Sequence, residues 1–208
     1  MKVLLLHSWP HEEWMWEAQA RALQAHGFTV DTPRLYGRGP SIDGWAAQLL
    51  RDDWETIVAV GASMGGYLAL ALARRAPERI LGLVLVGARA GVDSMPRRKD
   101  REELISNLRA HRDSLELDSV VPAEELAVAQ EAIRDRLDLT GVVSSFGGPL
   151  LVCVGDRDEI LTVPEAQELA GLALQGSIEV FEGAGHTVSL DQPQRFNEVL
   201  LRFVEQWR

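Results

Sequence analysis

Apolar positions along this chain follow two rhythms. Four short runs are almost continuously apolar: Lys2 to Leu6, Ile57 to Val60, Ile80 to Val86 and Leu150 to Val154. Runs this short and rich in Val, Leu and Ile predict strands covered on both faces, the habit of parallel sheets flanked by helices. Phe28 to Asp31 and Ile178 to Phe181 are weaker strand candidates. Between the runs the spacing changes to three and four. Met15, Ala18, Ala22 and Ala25 predict one helix face, and Phe196, Val199, Leu200, Phe203, Val204 and Trp207 predict another. Alternating strand and helix signals predict an α/β fold with a doubly wound, mostly parallel sheet.

The alternation breaks between Arg89 and Gly148. These roughly sixty residues carry helical stripes (Leu104, Ile105 and Leu108, then Leu126, Ala129, Ile133 and Leu137) and no strand signal. Because strands precede and follow the segment, it is expected to be a helical insertion lying over the strand ends, within one domain that spans 1–208. The 208-residue length and the 46% hydrophobic content suit one compact domain with a substantial core.

Charge narrows the partners. With 31 acidic and 21 basic residues the formal charge is −10, a surface that repels polyanions and argues against nucleic acid. Arg97, Arg98, Lys99 and Arg101 are interrupted by Asp100, Glu102 and Glu103, which predicts a solvated helix start instead of a basic patch. The lone Cys153 lies among apolar neighbours and is expected to be a buried structural thiol. No segment reaches the roughly 18 apolar residues of a membrane span, and Val3 to Leu6 is too short for a signal peptide. A cytoplasmic protein is the expectation.

The chemistry concentrates in "VGASMGGYLALALARRA", Val60 to Ala76, where a strand signal passes through a glycine-rich turn into a helix signal. Gly61-Ala62-Ser63-Met64-Gly65 spells Gly-x-Ser-x-Gly, the nucleophile elbow, in which a strained turn exposes the serine hydroxyl and small neighbours let strand and helix pass closely. Two other readings compete. A dinucleotide-binding loop needs glycine where Ser63 stands and an acid about twenty residues on, where the chain offers Leu83 to Val86. A serine that only caps the helix is the structural alternative. Chain order favours the elbow: Asp156 and Asp158 follow one strand signal in "LLVCVGDRDEI", and His186 follows another in "VFEGAGHTVSLD". Ser, Asp, His is the order of the serine hydrolases built on such a sheet.

With these motifs the chain resembles the α/β-hydrolase superfamily, and within it the bacterial esterase and enol-lactonase-like branch. The resemblance covers almost the whole sequence. "LLLHSWPHEEWMWEAQ" is similar to the family's His-Gly loop and first helix, "LYGRGPS" to its Gly-x-Gly-x-Ser stretch, and "GASMGGYLAL" to its elbow. "GPLLVCVGDRDEILTV" is similar to its acid-bearing strand, and "EGAGHTVSLDQPQRFNEVLLRFV" to its histidine loop and last helix.

The resemblance implies a catalytic triad of Ser63 as nucleophile, His186 as general base and acid, and Asp158 as the group that orients the histidine. Asp156 stays as the rival acid, since spacing alone does not separate the two. It implies an oxyanion hole from the backbone N–H groups of Trp9 and Met64, no metal or organic cofactor, and a small-molecule ester as substrate. Pro10 is expected to hold Trp9 extended. The implied reaction is acyl transfer to water through an acyl-enzyme.

Two features depart from the family pattern. Ser8 stands where the family usually has glycine, which would narrow the oxyanion hole, add a hydroxyl donor, or change nothing. The chain also starts directly on the strand that carries the His-Ser loop, without the usual leading hairpin, so the implied sheet has about six strands. The segment 89–148 is similar to a shortened helical cap.

The residues near the loop have plainer readings beside functional ones. Trp14, Trp16 and His11 are placed to line the leaving-group side, although Trp16 also fits a core anchor and His11 an exposed position. His7 is expected to fix its loop by hydrogen bonding, and His26 and His111 sit in helical, charged contexts that need no function. A noncatalytic binding protein on the same fold, with Ser8 marking a degenerate site, is the reading from another class. Among enzymes, dehalogenases and epoxide hydrolases are disfavoured because their elbow carries a carboxylate. Carbon–carbon bond hydrolysis and perhydrolysis stay open.

Overall fold

The computed structural model describes residues 1–51, 55–110 and 119–208. These residues form six strands: β1 (Lys2–Leu6), β2 (Thr29–Asp31), β3 (Ile57–Ala62), β4 (Ile80–Val86), β5 (Leu150–Gly155) and β6 (Gly176–Phe181). They pair in the order β2-β1-β3-β4-β5-β6, every pair parallel. The apolar runs become buried strands because both faces are covered. Leu4 and Leu6 of β1 join one hydrophobic cluster, while Val3 and Leu5 point into the other.

Nine helices among the described residues supply the covering layers: α1 (Glu17–Ala25), α2 (Ile42–Leu49), α3 (Met64–Arg75), α4 (Met95–Ala110), α5 (Ala123–Arg134), α6 (Thr140–Ser145), α7 (Val163–Leu172), α8 (Val188–Asp191) and α9 (Pro193–Val204). α2, α3 and α7 bury their apolar faces in the first cluster, and α1 and α9 in the second. The segment 89–148 holds α4, α5 and α6 and, among its described residues, no strand. Ile105, Leu108, Leu126 and Ile133 tie it into the first cluster. No helix among the described residues is long and apolar enough to cross a membrane.

The expected helix faces need two corrections. On α1 the inner positions are Gln19 and Leu23, preceded by Met15 and Trp16 in a 3₁₀ turn, whereas Ala25 is exposed and Ala18 and Ala22 are only half-buried. A polar residue can take the inner face because the Gln19 side-chain amide donates to Asn197 Oδ1 at 2.9 Å and to the Ser189 carbonyl at 3.4 Å. Leu137 leaves its predicted stripe and is 50% exposed, because α5 ends at Arg134, three residues before it. The Arg97 to Arg101 stretch lies in the first turns of α4, with Arg98 paired to Asp135, Lys99 to Glu103 and Arg101 to Asp93.

The topology itself marks a place. From β1 the chain moves outward to β2, then returns to the other side of β1 to form β3. The strand order therefore reverses between β1 and β3, and the crevice beyond the carboxyl ends of such a pair is where open α/β sheets bind ligands. The loop after β1 begins at His7, and the turn after β3 contains Ser63.

Candidate active site

Ser63 sits between β3 and α3 with φ 48° and ψ −109°, the one described non-glycine residue with positive φ. A left-handed serine is costly, and it persists because its surroundings over-determine it. The glycines permit the sharp turn. A side chain on Gly61 would overlap the Gly65 backbone, one on Gly65 would overlap the Leu6 carbonyl at the end of β1, and one on Gly66 would strike Ala88. The Ser63 N–H donates to the Val86 carbonyl at 2.7 Å, fastening the elbow to the end of β4. Its hydroxyl makes no capping bond to α3. The capping alternative therefore has no bond to support it.

Next to Val86, Gly87 adopts φ +57° and lies against the His186 ring: a Cβ built on it would be 2.8 Å from Cε1 and 2.9 Å from Nδ1. Ser63, Val86, Gly87 and His186 thus form one continuous set of contacts across the ends of β3 and β4. His186 Nδ1 is 2.9 Å from Asp158 Oδ2. The other carboxylate oxygen accepts the N–H groups of Ile160 at 2.7 Å and Leu161 at 3.0 Å. Both oxygens are therefore engaged, and the Asp158 side chain is fully buried. The His186 Nε2 atom is buried and, among the described residues, has no hydrogen-bond partner. With Nδ1–H donated to the carboxylate, Nε2 presents a lone pair, the tautomer a proton acceptor needs.

Asp156 has a different place. It is exposed, and its Oδ1 accepts the Gly183 N–H at 2.7 Å, pinning the start of the histidine loop. Asp191, which the sequence did not single out, holds the same loop nearer His186 by accepting the Gly185 N–H at 2.8 Å. Gly87 was also missed. Its only sequence signal is a glycine directly after an apolar run, which is too common to carry weight.

The loop after β1 is organised around His7. This fully buried ring accepts the Leu35 N–H at Nε2 (3.0 Å) and therefore carries its proton on Nδ1, which donates to the Ser8 carbonyl at 3.0 Å. Burial pushes the His7 pKa down to about 4, outweighing the bond to Ser8. The unfolded chain binds this proton near pH 6.5 and the folded chain only near 4, so the contribution to stability is complete above pH 6.5 and is lost as pH falls toward 4. The span corresponds to about 3 kcal/mol. Urea unfolding of wild type and His7→Gln from pH 7 to 4 checks this. Their stability difference should shrink on acidification, and a constant difference would remove His7 as the source.

Ser8 is fully buried, and its hydroxyl is 2.9 Å from His11 Nδ1 and 3.5 Å from Met15 Sδ, while its N–H points to the same sulfur at 3.2 Å. Its polar groups are thus engaged with His11 and Met15. Trp9 follows, joined to Pro10 by a cis peptide bond. Met64 is the first residue of α3, where backbone N–H groups have no partner within the helix. Trp16 is completely buried against Phe196, and Trp14 is 53% exposed with its ring edge-on to His11. His26 is exposed and bonds the Ala22 carbonyl through Nδ1, and His111 lies outside the described residues. Cys153 is buried in β5, which pushes its thiol above the usual range.

A family model described as "Alpha/beta hydrolase family" matches residues 3–199. The chain belongs to the α/β-hydrolase family. Among curated relatives of this α/β hydrolase, a pimeloyl-[acyl-carrier protein] methyl ester esterase of Aromatoleum aromaticum is 40% identical over 91 residues, which is 41% of this chain and 36% of that protein. Among solved structures, a thermophilic esterase from Thermogutta terrifontis superposes with a TM-score of 0.84 and is 28% identical, covering 99% of this chain and 90% of that one. The enol-lactonase from Burkholderia xenovorans shares the fold, with a TM-score of 0.83 at 23% identity over 98% of this chain and 90% of its own.

Proposed function

We propose that this α/β hydrolase is a serine hydrolase that cleaves a small carboxylic ester through an acyl-enzyme. Ser63 is the nucleophile, His186 the general base and acid, and Asp158 the carboxylate that fixes the imidazole. The observation that carries the reading is the His186 ring, bonded through Nδ1 to the buried Asp158 carboxylate and left with an unpartnered Nε2, on the contact path that leads to Ser63.

In the reaction, His186 Nε2 takes the Ser63 proton as Oγ attacks the ester carbonyl, and the imidazolium that forms is stabilised by Asp158. The negative oxygen is received by the backbone N–H groups of Trp9 and Met64, the second at the positive end of α3. His186 then protonates the leaving alcohol, and a water activated by the same nitrogen releases the acid. The segment 89–148 acts as a cap over this crevice. No metal or organic cofactor enters any step. The esterases among its relatives support the ester bond as the target. Ser8 does not speak for a degenerate site, because its hydroxyl is turned to His11 and Met15.

The test is labelling by a fluorophosphonate probe with mass-spectrometric mapping, run beside aryl esters of increasing acyl length, lactones and a thioester. Modification confined to Ser63 with ester turnover is expected. A folded protein that stays unlabelled overturns the reading in favour of a binding protein. Gly87→Ala gives a second check. The methyl group must displace the His186 ring or strain a left-handed backbone position. Because a misplacement of about 1 Å can cost about 10²-fold, turnover should fall on that scale. Wild-type turnover by Gly87→Ala would mean the ring is not held there during the reaction.

A further inference from the structure

The loop that carries Trp9 belongs to no strand or helix until the 3₁₀ turn at Glu13, so no backbone ladder fixes the direction of its N–H groups. Side chains hold it instead, from two directions. From the body of the fold, His7 bonds the Ser8 carbonyl, and the Tyr36 hydroxyl donates to the His11 carbonyl at 2.9 Å. From the inserted segment, the Trp9 indole Nε1–H donates to the Leu126 carbonyl of α5 at 3.3 Å, across 117 positions of sequence. The Ser119 hydroxyl, just ahead of α5, donates to the Pro10 carbonyl at 3.0 Å. Arg34 adds an ion pair on each side, to Glu12 at 3.4 Å and to Glu125 at 3.0 Å, but its side chain is 45% exposed, where such pairs contribute little.

We propose that α5 and the residues leading into it set the oxyanion hole: the Trp9 indole, anchored on the Leu126 carbonyl, and the Ser119 hydroxyl, anchored on the Pro10 carbonyl, are positioning groups for the Trp9 backbone N–H. The proposal rests on the hydrolase reading above, in which that N–H receives the developing negative oxygen. Its physical basis is that a donor stabilises a transition state only where it is aimed before the charge appears. The two bonds from the insertion flank the Trp9–Pro10 unit, one through the side chain of Trp9 and one through the carbonyl of Pro10. The insertion therefore does more than cover the crevice. It completes the wall from which an oxyanion donor projects.

The proposal predicts a split between kcat and KM. Trp9→Phe keeps an aromatic ring and the backbone N–H but loses the indole donor, and it should lower kcat about tenfold with KM nearly unchanged. That loss lies between the effect of one neutral hydrogen bond and the removal of a whole oxyanion donor. Ser119→Ala should lower kcat about threefold in the same manner. The double variant should lose less than the product of the two, since both groups steady one loop. Maximal phosphonylation rates of Ser63 should fall in parallel, because that reaction also places a negative oxygen in the hole.

Wild-type kcat with raised KM in Trp9→Phe would make the indole a wall of the substrate pocket and overturn the proposal. If Trp9→Phe melts early, the milder Ser119→Ala decides, and wild-type kcat there overturns it as well. A wild-type protein unlabelled at Ser63 removes this proposal together with the nucleophile assignment. Labelling at Ser63 that proceeds at the wild-type maximal rate in both variants removes the positioning role alone.

Discussion

Ser63→Ala is expected to lower ester turnover by about 10⁶, the scale on which loss of a serine nucleophile acts, while leaving the protein folded. The fold should survive for reasons specific to this turn. The hydroxyl caps no helix, and the bond that fastens the elbow is made by the backbone N–H of residue 63 to the Val86 carbonyl, which alanine retains. Alanine also meets the same left-handed strain as serine, so the change adds no backbone cost. Turnover of an aryl ester measured beside the thermal midpoint separates the two effects. Undiminished turnover by a folded variant would remove Ser63 as the nucleophile, and a collapsed midpoint would show that the hydroxyl supports the turn in a way its contacts do not reveal.

Asp158→Asn should lower turnover by up to about 10⁴, through the proton on the imidazole and with little change in packing. Asp158 Oδ1 accepts two backbone N–H groups, from Ile160 and Leu161. An asparagine keeps those bonds by placing its carbonyl oxygen there, which leaves its NH₂ facing His186 Nδ1. Nδ1 must then accept, the ring proton moves to Nε2, and the nitrogen that should take the Ser63 proton already carries one. Asp156→Asn is the matched control. Among the described residues its exposed carboxylate holds the Gly183 N–H alone, a bond the asparagine oxygen preserves, so turnover should stay close to wild type. A reversal of the two effects would transfer the orienting role to Asp156.

Ser63 and His186 differ from Asp158 in how far each could be read from the sequence. The elbow is local: Gly61, Ser63, Gly65 and Gly66 lie within six positions, and the steric demand for small residues is written in that spacing. The strands were legible for a similar reason, since burial on both faces requires continuous apolarity and leaves little alternative. All six candidate runs became strands, the two weaker ones at the edges of the sheet where one neighbour is missing. The inner face of α1 was not legible, because Gln19 is buried through a bond to Asn197, a partner 178 positions away. Leu137 failed for the opposite reason. Periodicity extended a stripe past the point where α5 stops.

The sequence by itself determined the parallel α/β architecture, the place of the elbow and the family, because these depend on spacing within a few residues and on apolarity along single strands. The tertiary structure decided which of two neighbouring aspartates meets His186, that the Ser8 hydroxyl turns to His11 and Met15, that Gly87 borders the imidazole, and that the Trp9 indole reaches α5. Each of those facts is a direction of a side chain or a contact between distant segments. Such directions are set only when the strand ends are brought together, and no local pattern of residues encodes them.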